Sequence, residues 1–315
     1  MPKEGAIIIS FKRFTQPKDN HQIDDHQKED HQKLQHDIAY LLNAENGQKN
    51  QLLVLEGEVK RLTQREKQLT DVLFFTRGVL GQALSANADQ LQKPALKEEY
   101  FDLEQSLRSL EGLAPAAYQK WSELLSVNAE EYLSDPTFSC SVEGNHGAVV
   151  FKSFISIYLS GTVLDIGCGP MRMPAYLEGY PPQLICGIDP IAPHGEQDFA
   201  FMQNISEFLP WQDGSFDTVL IGTSFDHVLL LDKALEEIKR VLKPKGTLLV
   251  WTNFKTGSKK YDPYVPSIEP VDRYHLFRFD QPWFEEMMRE FGFITVEHYE
   301  ENSHYYAFKL ERSPT

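Results

Sequence analysis

Cysteine is scarce in this chain: three in 315 residues, at Cys140, Cys168 and Cys186. None stands at metal-ligand spacing from another, and two fall at predicted strand ends. That pattern predicts a reducing compartment and a cytoplasmic protein. No apolar run reaches the ~18 residues that a membrane-spanning helix needs. The opening Met1-Pro2-Lys3-Glu4-Gly5 has neither the charged nor the apolar region of a secretory signal. Basic residues are in deficit, 31 Lys and Arg against 46 Asp and Glu, for a formal charge of −15. With no surplus to neutralise phosphates, a nucleic-acid partner is not expected. Lys259-Lys260 is the best small basic patch. What remains is ample: 41% of residues are apolar, enough for a real core across two domains.

The most telling stretch is Val163-Leu164-Asp165-Ile166-Gly167-Cys168-Gly169-Pro170. Its apolar start reads as a buried parallel strand. Gly167 and Gly169 then allow a sharp turn and a close approach of backbone to a ligand. The third glycine of a dinucleotide-binding turn is missing, because Met171 and Arg172 follow Pro170. That weakens the case for a nicotinamide cofactor and points to another adenosine-bearing one. A second strand, 183–190, ends in Asp189-Pro190. Asp189 lies 20 residues after Gly169, where a carboxylate can take a ribose diol.

V-L-D-I-G-C-G-P, G-I-D-P, F-D-T-V and R-V-L-K-P-K-G-T-L occur here in that order. Together they resemble the class I S-adenosylmethionine-dependent methyltransferases, over about residues 146–311. The resemblance is nearest to the small-molecule group that carries an L-P-x-x-D-x-S-F-D segment. It implies an α/β fold with a Rossmann-like seven-stranded sheet and S-adenosylmethionine as cofactor. It implies cofactor contacts at Asp165, Gly167, Cys168, Gly169, Pro170, Asp189 and Pro190. Ile205 and Ser206 would cover the adenine, although this chain lacks the acid that many relatives carry at the position of Ile205. Glu207 reads better as a structural acid than as a ligand. Gly222 and Thr223 close the turn after the fourth strand.

Beyond that turn stand Asp226 and His227, at the expected rim of the cleft. A histidine titrates near neutrality and can take a proton from a substrate hydroxyl. His227 is the expected base, with Asp226 or His275 assisting; the alternative is that His227 only packs the start of the helix at 231–242. Residues 255–280 form an aromatic, mixed-charge insert beyond the fifth strand, long enough for a lid. Tyr274 and His275 are its candidates for substrate contact, against a plain surface loop packed on Trp283. A helix at 282–291 and a hairpin at 293–300 and 304–310 complete the sheet. No metal ligand set is expected.

The N-terminal half reads differently. Residues 6–12 could form a short strand. His21, His26, His31 and His36 recur every five residues. A five-residue step turns a helix by about 140°, so these side chains do not converge on a metal. From Leu34 to Leu80 a series of positions alternates at steps of four and three, mostly apolar, as at Ile38, Leu41, Leu52, Leu55, Val59 and Leu62, with Glu45, Gln48 and Glu66 as polar members that would cost stability and could set register. That is a heptad seam, a rod about 70 Å long that needs a partner. A homodimer or higher oligomer through residues 34–80 is expected; an intramolecular hairpin broken near 43–47 is the alternative. Pro94 and Pro115 punctuate a helical stretch that suits a cap over the cleft. The expected organisation is a polar segment 1–33, a coiled coil 34–81, a helical linker or cap 82–145, and a methyltransferase domain 146–315.

The activity implied is methyl transfer to a small-molecule or glycan acceptor, with O-methylation of a sugar foremost, by analogy with bacterial methyltransferases of surface-polysaccharide synthesis. A lipid, quinone or secondary-metabolite acceptor is the first alternative, and an apolar cap pocket would favour it. A non-catalytic coiled-coil scaffold that only binds cofactor is the second.

Overall fold

In the computed structural model, residues 25–86 and 94–311 are described; the strand expected at 6–12 lies outside them. Two compact units result, residues 1–67 and 68–315. A single helix, α1, runs over Asp25–Ala86. It passes through 43–47 without a break, so the chain does not fold back there. Its seam residues with described side chains are open to solvent, Leu55 at 63% and Leu62 at 53% among them. The side chains of His26 and His31 are not described, and that of His36 is exposed. No helix among the described residues is long and apolar enough to cross a membrane.

The second unit is built on seven strands: β1 Val163–Ile166, β2 Ile185–Asp189, β3 Ala200–Gln203, β4 Phe216–Gly222, β5 Leu242–Thr252, β6 Phe293–Glu301 and β7 Ser303–Leu310. Their order is β3-β2-β1-β4-β5-β7-β6, with β7 antiparallel to both its neighbours and the other pairings parallel. The order reverses between β1 and β4, so a crevice opens beyond their carboxyl ends. β1 is buried on both faces: Leu164 and Ile166 join one core and Val163 the other.

Helix α4, His146–Ile155, covers the second core with Phe151, Phe154 and Ile155. Its N-cap is Asn145, whose side chain accepts the Ala148 N–H. The first core is covered by α5, Leu231–Val241, and α6, Gln281–Glu290. Leu231, Ala234, Leu235, Ile238 and Val241 make one buried stripe of α5. Its first turn has no side-chain cap of its own. Instead Glu207 Oε1 reaches in from 22 residues away to accept the N–H groups of Leu229 and Leu230, at 3.0 and 3.1 Å. The expected structural role of Glu207 is thus seen.

Two further helices lie over this first core. Helix α2, Leu103–Leu113, opens on a capping box between Asp102 and Gln105. Helix α3, Pro115–Ser134, starts with Pro115 at its first position, where a missing N–H costs nothing. Leu110, Ala117 and Trp121 sink into the core shared with α5 and α6.

Candidate functional site

The crevice at the switch point is a cleft of about 400 Å³, bordered by the ends of β1, β2 and β4, by α3, and by residues 274–278. Its floor is the glycine turn. Gly167 has φ +71, and a Cβ there would meet Ser224 Cβ at 2.2 Å. That close approach lets Ser224 Oγ donate to the Ile166 carbonyl at 2.7 Å, tying the β1 turn to the β4 turn. Gly169 has φ +73 and faces the hydroxyls of Ser139 and Ser141 across the cleft. Asp189 holds this turn: Oδ2 accepts the Gly169 N–H at 2.9 Å and Oδ1 accepts the Ile191 N–H at 2.8 Å. Burial raises its pKa to about 6, against the pull of those two N–H groups.

Of the residues expected to meet a cofactor, Gly167, Gly169, Asp189, Pro190, Ile205, Ser206, Gly222 and Thr223 border the cleft. Asp165 lies behind the turn, fully buried, with Tyr176 donating to Oδ2 at 2.9 Å and no partner for Oδ1. Burial lifts its pKa to about 7. The Cys168 side chain points into the core, beside Gly187. Cys168 and Pro170 are absent from the lining. The hydroxyl of Ser206 is spent on Glu207 at 3.0 Å. Thr223 holds φ +61, strained backbone for a β-branched residue, and its N–H is fixed by the Trp251 carbonyl at 2.8 Å.

The polar edge opposite the glycine turn gathers Asp226, His227 and His275, as the motif reading expected, and adds two residues it did not name. Arg278 Nη1 donates to Asp226 Oδ2 at 2.8 Å, and Arg278 Nε to Asp272 Oδ2 at 3.1 Å. Asp272 Oδ1 lies 2.7 Å from His275 Nδ1. His275 Nε2 is then left pointing toward Asp226, 3.8 Å away. The rings of His227 and His275 sit 4.3 Å apart. Burial raises Asp272, but the bond from His275, the Tyr274 N–H and the charges of His275 and Arg278 outweigh it and bring the carboxyl to about 2. His227 differs: burial, reinforced by His275 and Arg278 against the pull of Asp226, drops it to about 4. It is neutral at pH 7 and a weak proton acceptor. Asp226, His227 and His275 also have the donor set of a cation site. Arg278 already neutralises the Asp226 carboxylate, so the arrangement reads as a proton-handling edge.

A depressed histidine gives a signed prediction. The unfolded chain binds the proton near pH 6.5, the folded chain only near pH 4. Stability from this group is therefore full above pH 6.5 and falls as the pH drops toward 4. Proton NMR of His227 is expected to titrate with a midpoint near 4. Urea unfolding of His227→Gln should lose less stability than the parent over that window.

The opposite wall is apolar. Trp121, Leu124 and Leu125 of α3 face the cleft with Phe138. Trp121 Nε1 donates to the His227 carbonyl at 2.7 Å, and Asn128 Nδ2 to the Tyr274 carbonyl at 3.1 Å. Tyr274 stacks near Phe138, at 5.1 Å, and its hydroxyl donates to Glu131. The insert at 255–280 is packed down rather than loose: Tyr261 stacks on Phe277 at 4.1 Å and donates to the Leu229 carbonyl. Asn128, Ser139, Ser141, Asp272 and Arg278 border or support the site without carrying a motif.

With this geometry in view, comparison with known proteins is decisive for one segment. Residues 164–250 match the family model described as "Methyltransferase domain". This methyltransferase domain runs from β1 to the heart of β5. The match is confined to that segment, well under half of the chain. The chain is 40% identical over 90 residues to a ubiquinone/menaquinone biosynthesis C-methyltransferase of Hahella chejuensis, covering 27% of this chain and 36% of that protein. It is 38% identical over 78 residues to a glycine/sarcosine/dimethylglycine N-methyltransferase of Actinopolyspora halophila, covering 25% and 13%. The chain thus spans about a third or less of the length of these curated relatives. Among solved structures, a Burkholderia thailandensis 1,6-didemethyltoxoflavin-N1-methyltransferase superposes with a TM-score of 0.49 at 16% identity, over 62% of this chain and 90% of that one.

Proposed function

We propose that the chain transfers a methyl group from S-adenosylmethionine to a ring-bearing acceptor that presents a hydroxyl. One observation carries this reading: the polar edge of Asp226, His227 and His275 faces the Asp189-held glycine turn, while Trp121, Leu124, Leu125 and Phe138 form an apolar wall beside both. The cofactor, when bound, supplies a methyl already activated on a sulfonium. Gly167 and Gly169 leave room for its methionine end, Asp189 beside Pro190 offers a carboxylate to its ribose, and Ile205 with the Ser206 backbone borders its adenine. The residues beyond it position the acceptor and exclude water.

His275 is the better base of the two histidines. Asp272 on Nδ1 fixes the tautomer that leaves Nε2 free to accept the acceptor's proton. His227, neutral and enclosed, orients the same hydroxyl through a hydrogen bond. Removing that proton from a ring hydroxyl activates the oxygen itself or, on an aromatic ring, the adjacent carbon. The likeness to a quinone C-methyltransferase agrees with the second outcome. Sugar or glycan O-methylation, and with it a place in polysaccharide synthesis, is the second reading. It rests on the paired carboxylates Asp226 and Asp272, which suit a diol, and on aromatic side chains that can stack on a sugar face. Residues 94–145 act as the cap in either case, within a cytoplasmic enzyme.

Incubation of the full chain with S-adenosylmethionine and separate panels of hydroxylated aromatics and sugars tests this, with S-adenosylhomocysteine release as the readout. Turnover on ring phenols is expected. Turnover on sugars alone selects the second reading. Tight cofactor binding with no turnover on any acceptor selects the scaffold reading, and no binding removes the cofactor assignment.

The exposed seam of α1 pairs with the same seam of a second copy. Light scattering of the intact chain is expected to give a dimer or higher oligomer. Leu55→Lys with Leu62→Lys, which charges the seam at two exposed positions, should return a monomer. A parent chain that is already monomeric sinks this part.

A further inference from the structure

The far edge of the sheet carries a second cluster of metal-ligating side chains, away from the cleft. β6 and β7 form a hairpin closed by Asn302 at φ +52. Its register pairs His298 with Tyr306 and Glu300 with His304. Residues two apart on one strand share a face, as do directly opposed residues, so His298, Glu300 and His304 all project to one side. Their donor atoms lie within 4.8 Å of one another.

We propose that His298 Nε2, His304 Nδ1 and a Glu300 carboxylate oxygen form a binding site for a divalent transition cation of the zinc type. His298 Nε2 and His304 Nδ1 are 3.1 Å apart, close to the roughly 3.3 Å edge of a tetrahedron with Zn–N bonds near 2.05 Å. Glu300 Oε2 stands 3.9 Å from His304 Nδ1, on a side chain free to swing in. Two imidazoles and one carboxylate suit zinc, nickel or copper, whereas magnesium and calcium prefer all-oxygen shells. Three protein ligands leave a fourth position for water.

Both rings are held by packing before any ion arrives. His298 stacks on Tyr306 at 4.1 Å and 8°, and Tyr306 is itself anchored by its bond to Glu285 at 2.9 Å. His304 lies 4.5 Å from the Phe254 ring. The location gives the site a structural use. His304 pairs with Thr252 at the end of β5, and Ser303 Oγ donates to Asn253 Oδ1 at 2.8 Å. Asn253 borders the cleft, so a bound ion would pin the hairpin tip next to the cleft wall.

Without an ion, the same 3.1 Å contact is served by a proton shared between two neutral rings. Zinc titration of the full, chelator-stripped chain at pH 7.5, in competition with a chromophoric chelator, distinguishes the two. His298→Ala with His304→Ala is expected to lose one equivalent of Zn²⁺, while His227→Ala with His275→Ala in the cleft keeps it. Unchanged stoichiometry in the hairpin variant overturns the proposal, as does loss of that equivalent in the cleft variant. Should the hairpin variant not fold, Glu300→Gln decides, because Glu300 is exposed. About tenfold weaker Zn²⁺ binding supports the site, and equal affinity overturns it.

Discussion

Replacement of Asp189 by Ala is expected to weaken S-adenosylmethionine binding about a hundredfold or more in calorimetric titration. The carboxylate accepts two backbone N–H bonds, from Gly169 and Ile191, and faces the cleft between them. A hydrogen bond to a charged group contributes about 1.5–3 kcal/mol. A ribose diol can donate two such bonds to the carboxylate, and losing both exceeds the ~2.8 kcal/mol that a hundredfold change requires, with the loosened glycine turn adding to the loss. Asp189→Asn should fall between parent and Ala. Its amide oxygen can accept one of the two N–H groups, while its NH₂ faces the other as donor against donor. Cofactor binding that survives Asp189→Ala would place the ribose elsewhere. Protonation acts in the same direction: with a pKa near 6, Asp189 turns neutral as the pH falls below that value, and affinity should decline there.

His275→Ala is expected to lower kcat by about a thousandfold, with KM for the cofactor little changed. The same change at His227 should cost less, because a group with a pKa near 4 takes up a proton poorly at pH 7. Asp272 acts through His275, so its removal has a different signature. Asp272→Asn keeps the shape but deletes the charge that stabilises the imidazolium. kcat should therefore fall roughly tenfold to a hundredfold. An unchanged kcat in the folded variant would reduce Asp272 to a structural anchor for Arg278.

The glycine turn, Asp189 and the Asp226-His227 pair were legible because each sits at a fixed offset from a strand end. A parallel sheet delivers strand ends to one crevice, so the spacing along the chain carries over into space. The strands expected at 183–190, 293–300 and 304–310 lie within a few residues of β2, β6 and β7, whereas β3, Ala200–Gln203, was not placed in advance. β5 starts earlier than the glycine before it suggested, since Leu242 already pairs with Phe216. The support of His275 was not legible. Asp272 and Arg278 sit in an insert with no periodicity, and their value comes from meeting each other and His275 across a loop. Asn128 reaches the cleft from α3, and Ser139 and Ser141 from the turn that follows it, where no strand register fixes them. The heptad pattern did foretell a helix, and the unbroken α1 bears that out. A seam says that a partner is needed, but the identity of that partner lies outside a single chain.

Two of the bonds that tie α3 to the rest of the cleft end on main-chain oxygens, those of His227 and Tyr274, while the Tyr274 hydroxyl and Arg273 also reach Glu131 of the same helix. An amide carbonyl is the same whatever side chain its residue bears. Substitution at His227 can therefore change the chemistry facing the cleft while that bond to the wall stays in place, whereas substitution at Tyr274 also gives up the hydroxyl's bond to Glu131. The burden of keeping the wall in place falls on the donors, Trp121 and Asn128. At His227 the ring that faces the cleft and the carbonyl that anchors α3 are thus different atoms of one residue, so under the proposed function that position is free to drift with the acceptor without loosening the wall.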